Sequence, residues 1–197
     1  MARTGSGARG VLASLALLVC LTVAACTTDQ PTEPSPSTPG SAALRVRTVH
    51  VAGSLDADAQ AEAEAAVGDV LSGYVVRAFL GDYPREDFVG AFESFTGNLA
   101  RDGVRDLDVL TANRLGSAET VHATRLDADL SFLVDGSDTV GATAAVRFEF
   151  EATVDGEEQP FGLRGRLMLM NDDDTWSVYG YDVKTDSGEA VQAGVTS

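Results

Sequence analysis

The hydrophobic positions change from a helical to an alternating period near Gly116. Before it, apolar residues recur at helical spacing. Ala63, Val67, Val70, Leu71, Tyr74 and Ala78 form one stripe of a helix expected over residues 57–80, entered through the capping candidates Ser54 to Asp58 and ended by Gly81-Asp82. Pro84 suits the first turn of a second helix, on which Phe88, Phe92 and Phe95 share a face. A shorter helical stretch runs from Leu99 to Leu107–Leu110. Upstream, Leu44 to Val51 alternates as a short strand.

After Gly116 every second residue is apolar. Leu126, Ala128, Leu130, Phe132 and Val134 make one run, and Val140 through Phe150 a second. Phe161, Leu163, Leu167 and Leu169 make a third, and Trp176 to Val183 a fourth. Asp135-Gly136, Asp155-Gly156 and Asn171 to Thr175 supply the turns. The pattern predicts an α+β domain, with N-terminal helices packed on a four-stranded antiparallel meander. Thr185 to Ser197 lacks a period and is expected to fray.

The first residues follow another logic. Arg3 and Arg9 precede an apolar run, Val11 to Ala25, that is shorter than a membrane span and reads as a secretory signal. Val23-Ala24-Ala25-Cys26 resembles a bacterial lipobox. That resemblance implies a diacylglycerol on the Cys26 thiol, cleavage just before it, and further acylation of the new amino group. Two or three acyl chains anchor stably where one is marginal. Thr27 to Ser41 is rich in Pro, Ser and Thr and reads as an extended stalk, reaching about 45 Å at roughly 3.1 Å per residue. The expected organisation is therefore a lipoprotein signal peptide over 1–25 and a lipidated Cys26 with a disordered linker over 26–43. A single globular domain over 44–184 and a flexible tail over 185–197 complete it.

Helices first, then a meander closing with Asp174-Thr175-Trp176-Ser177-Val178, resembles the NTF2-like (cystatin-like) α+β fold. The resemblance covers about residues 55 to 184, with the Leu44–Val51 strand extra to it. The fold hosts isomerases, dehydratases, cyclases and plain binding modules, so it leaves function open.

Composition narrows the chemistry. A net charge of −16 argues against nucleic acid as a partner, since phosphate-backbone binding needs a basic face. Two cysteines, one inside the leader, exclude a disulfide framework and a four-cysteine zinc site. Gly5 to Gly10 matches a dinucleotide-binding pattern but follows no strand and lies in the leader. Asp127 and Asp129 alternate away from the apolar face and read as solvated. His122 has the parity of Leu126 and Leu130, which would carry it to the mouth of a pocket as a base. It is the one catalytic candidate, although no carboxylate stands at strand spacing on its own strand face. His50 has no visible partner. Asp172 to Asp174 lacks the alternation of a calcium loop and reads as a turn. Tyr74, Tyr83, Tyr179 and Tyr181 are core or rim aromatics, with Tyr179 and Tyr181 on one face and Trp176 on the other. No metal or cofactor is expected.

The reading that follows is a lipid-anchored cell-envelope protein on the extracytoplasmic side of the membrane. Its domain is expected to be a non-enzymatic binding or accessory module for an envelope protein or small apolar ligand. The alternative is an NTF2-like enzyme acting on a small apolar substrate.

Overall fold

The structure is a computed structural model that describes residues 40–194. Cys26 and the whole of the expected leader lie outside those residues. One six-stranded sheet dominates, in the order β1 (Arg45–Ala52), β2 (Thr120–Asp135), β3 (Asp138–Val154), β4 (Glu157–Asp172), β5 (Thr175–Thr185) and β6 (Ala190–Ala193). Three helices interrupt it: α1 (Ala57–Phe79), α2 (Gly97–Arg105) and the single turn α3 (Leu107–Leu110).

This corrects the expected fold class. The sheet has six strands rather than four, and it is mixed, because β1 runs parallel to β2 while every other neighbouring pair is antiparallel. Alternation identifies Leu44–Val51 as a strand but carries no information about its partner. Opposite charges and a helix accompany the pairing, and Leu44 and Val46 pack against the core. Arg45 and Arg47 lie opposite Asp127 and Asp129 and donate to them at 2.9 and 2.8 Å. On the other side of β1, Glu64 of α1 accepts from the Thr48 hydroxyl at 2.6 Å and the Thr48 amide at 3.1 Å. At the far edge, β6 uses residues expected to fray and pairs Val191 with Val183 of β5.

The chain from 81 to 96 is not the expected second helix. Only Val89–Phe92 forms a short 3-10 turn. Arg85 explains the departure. Its guanidinium donates to the Leu80 carbonyl at 3.0 Å, to the Asp87 carbonyl at 2.7 Å and to the Arg77 carbonyl, and it lies 4.3 Å from the centre of the Phe88 ring. These bonds satisfy carbonyls that the end of α1 leaves open and fold the chain back on itself. Phe88, Phe92 and Phe95 are all buried nonetheless. Backbone bonds Thr96 N to Val178 O (2.8 Å) and Val178 N to Ser94 O (2.9 Å) stitch the segment to β5.

The core is continuous. Val67, Leu71, Tyr74 and Phe79 of α1 meet Leu130, Phe148, Phe150, Leu163 and Leu167 of the sheet, all 0–2% exposed. Each large side chain of this set contributes about 1.5–3 kcal/mol through burial. Asp56 caps α1 by accepting from the Ala59 amide at 2.9 Å. The β4–β5 turn places Asp173 and Asp174 at φ 48° and 62°, a conformation that Asp tolerates in a two-residue hairpin.

Candidate functional site

Three aromatic rings organise the best-walled cavity. Phe79, at the end of α1, stacks on Phe150 of β3 with centroids 4.6 Å apart, and Phe150 stacks on Phe161 of β4 at 5.1 Å. Phe79 and Phe161 then form one wall of a cavity of about 250 Å³. Val109 of α3, Ala112 and Leu115 of the following turn, and Pro160 of β4 supply further apolar lining. The chain takes this course because the Ala112 amide donates to the Ala78 carbonyl at 2.9 Å, and because the Tyr74 hydroxyl donates to the Leu110 carbonyl at 2.6 Å.

The mouth is charged and closed on itself. Arg114 donates to both oxygens of Glu189, at 2.5 and 2.8 Å, and stands 3.3 Å from Asp108. It thereby ties the turn after α3 to the loop between β5 and β6. The Asn113 amide, at 2.7 Å, and then Arg114 hold the Asp108 carboxyl below its ordinary range. A carboxylate stabilised in its charged form is a weak proton acceptor. Among the described residues, no histidine or cysteine lines the cavity.

His122 stands elsewhere. The β2–β3 register shifts between Ala123 and Arg125, so Thr124 is an extra residue. Ala123 and Leu126 therefore both point inward, and His122 lies on the opposite, outward face of the sheet. Its partner there is Glu151, directly opposite on β3, with Nε2 3.2 Å from the carboxylate. Parity counted through this bulge puts His122 at a pocket mouth, and the inserted residue reverses that. The partner of His122 is invisible to spacing along β2 because Glu151 belongs to β3.

A second bulge alters the tyrosines. The register of β4 with β5 shifts so that Leu169 faces Val178 and Met168 faces Gly180, leaving Tyr179 extra. Trp176 and Tyr181 consequently share the buried face, while Tyr179 is exposed. This reverses the expected arrangement. Tyr181 donates to Asp106 at 2.7 Å. Burial first, and then the Asp106 carboxylate, push its phenol far up. Burial also raises the phenol of Tyr74, and raises that of Tyr83 to about 12.

The outward face of the sheet has two halves. Asp127 and Asp129 lie in a charged half. Arg125, then Arg45, hold the Asp127 carboxyl below its usual range. The other half carries His50 and the exposed Leu133, Met170 and Tyr179 around a shallow groove floored by Gly141. Among the described residues, no group of three or more His, Cys, Asp or Glu is placed to hold a metal ion. No helix among them is long and apolar enough to cross a membrane. Comparison with protein-family models, with curated proteins and with solved structures finds no match.

Proposed function

We propose that this chain is a cell-envelope lipoprotein, anchored through acyl chains on Cys26, whose domain binds a small apolar ligand in the cavity behind Arg114. The observation that carries the reading is the apolar Phe79–Phe161 wall of the pocket that opens beside Arg114. A volume of about 250 Å³ exceeds the roughly 150 Å³ of an apolar cavity that takes up benzene. A single aromatic ring or a short acyl chain fits it. The polar groups at the mouth are engaged with one another, so they orient and screen a ligand without activating it. The groove over Gly141 is a poorer candidate, because side chains themselves 37–55% exposed form its walls.

Anchoring rests on the basic segment, the apolar run and Val23-Ala24-Ala25-Cys26 together. A mature N-terminus at an acylated Cys26, seen by mass spectrometry, supports it, and an unmodified terminus at another residue rejects it. Ligand binding is tested with the single-ring probe fluorobenzene, followed by its fluorine NMR signal and displaced by small aromatic and aliphatic compounds. Leu115→Trp, which fills the cavity from its half-buried side, should abolish probe binding. Probe binding unchanged by Leu115→Trp would reject the cavity as the site.

A further inference from the structure

On the charged half of the sheet's outward face, strands meet in rows of side chains. In most rows opposite charges face each other. Arg45 stands against Asp127, Arg47 against Asp129, and Arg166 against Asp182 at 2.6 Å. The Arg45–Asp127 row ends differently. It continues with Arg147 of β3, opposite Asp127, and then with Arg164 of β4 and Lys184 of β5, so that three cations, all exposed, follow one another directly across the strands.

Neighbouring strands lie about 4.8 Å apart, so three cations crowd a span of about 10 Å. Like charges placed directly opposite destabilise a strand pair. Arg147 is compensated by Glu149 on its own strand, at 2.6 Å, and faces Asp127 of β2, so the uncompensated charge of the row lies on Arg164 and Lys184. Among the described residues, Arg164 and Lys184 form no ion pair within 4 Å. The crowding runs against the composition. The chain holds 30 acids against 14 bases, yet seven of those bases project from this one face, the sole lysine included. The core does not need them, because the inward neighbours Leu163 and Val183 carry the packing.

Such a row is stable when an anion shares its charge. Guanidinium forks and an ammonium group are the donors that a tetrahedral oxyanion takes. We propose that Arg147, Arg164 and Lys184 form a binding site for a phosphate group. Phosphate is favoured over a lone carboxylate because it presents up to two charges and three oxygens to three cations near neutral pH. The row is open to solvent, so the same chemistry serves a free phosphate or a phospholipid headgroup. This site is independent of the cavity, and neither reading stands on the other.

The test uses the mature chain reconstituted in phosphatidylcholine vesicles and titrated with inorganic phosphate at fixed ionic strength, followed by calorimetry. The double variant Arg164→Glu, Lys184→Glu should weaken phosphate binding about tenfold or more, since it removes two of three charge-assisted partners. Arg101→Glu, exposed on α2, should change it by less than about twofold, and both variants should melt with the wild type. Repeating the titration in phosphatidylglycerol vesicles separates the sources. Apparent affinity lowered there, in the wild type only, assigns the row to lipid headgroups; unchanged affinity assigns it to free phosphate. Absence of phosphate binding below about 100 mM, or equal binding by wild type and double variant, overturns the site.

Discussion

Tyr74→Phe removes one oxygen atom from the centre of the domain. The side chain is fully buried, and its hydroxyl donates to the Leu110 carbonyl at 2.6 Å, joining α1 to the end of α3. The ring keeps its contacts with Phe79 and Phe95, so packing loss is small. Two effects set the magnitude. The bond itself contributes about 0.5–1.5 kcal/mol net, and a buried acceptor left without a donor costs about 1–3 kcal/mol. The expected loss is therefore about 2 kcal/mol. In urea unfolding, where a small domain has a slope of about 2 kcal/mol per molar, the midpoint should fall by about 1 M with the slope unchanged. Tyr179→Phe is the control, because Tyr179 is 41% exposed and should shift the midpoint by less than about 0.2 M. If the two variants shifted it equally, the Tyr74–Leu110 bond would not be the tie between α1 and α3.

Other consequences follow from the same geometry. Tyr74, Tyr83 and Tyr181 all have phenols raised above 10.0, Tyr83 to about 12, so the unfolded chain releases these protons first. Their contribution is complete below pH 10 and declines as pH rises toward 12, by up to about 1.4 kcal/mol per pH unit for each tyrosine, which unfolding at stepped alkaline pH would show. Gly165 sits at φ 145° with the backbone of Asp182 and Val183 against its Cα, so Gly165→Ala should cost more than about 2 kcal/mol; a melt within a degree of wild type would refute this. His122→Ala breaks a half-exposed pair with Glu151 and should cost less than about 1 kcal/mol, leaving probe binding in the cavity intact.

Local periodicity was legible in the sequence, and sheet membership was not. The alternating runs after Gly116 and the stripe of α1 mark strands and a helix through side-chain burial, which has a fixed period. Pairing depends on residues far apart in the chain. β1 lies beside β2 with Arg45 and Arg47 meeting Asp127 and Asp129, some eighty positions away. β6 is four residues long with only Val191 and Ala193 turned toward the core, too short to establish a period. Register shifts account for the misplaced side chains. Thr124 and Tyr179 are each one residue inserted into a strand, and an insertion leaves no mark on composition while reversing every later parity count. Parity alone therefore puts His122 on the wrong face and groups Tyr181 with Tyr179. The cavity was hidden for a related reason. Its walls come from α1, α3, β4 and the β5–β6 loop, brought together by the stacking of Phe79, Phe150 and Phe161, by the Ala112–Ala78 and Tyr74–Leu110 bonds and by Arg114 with Glu189.

The central claim is that the space between Phe79, Leu115 and Phe161 receives a small apolar ligand. Titration with indole, followed residue by residue by NMR, tests it most directly. The account predicts saturable shifts at Phe79, Val109, Leu115 and Phe161 that vanish in Leu115→Trp. Shifts confined to Leu133, Met170 and Tyr179 on the outward face, or none at any residue, would contradict it.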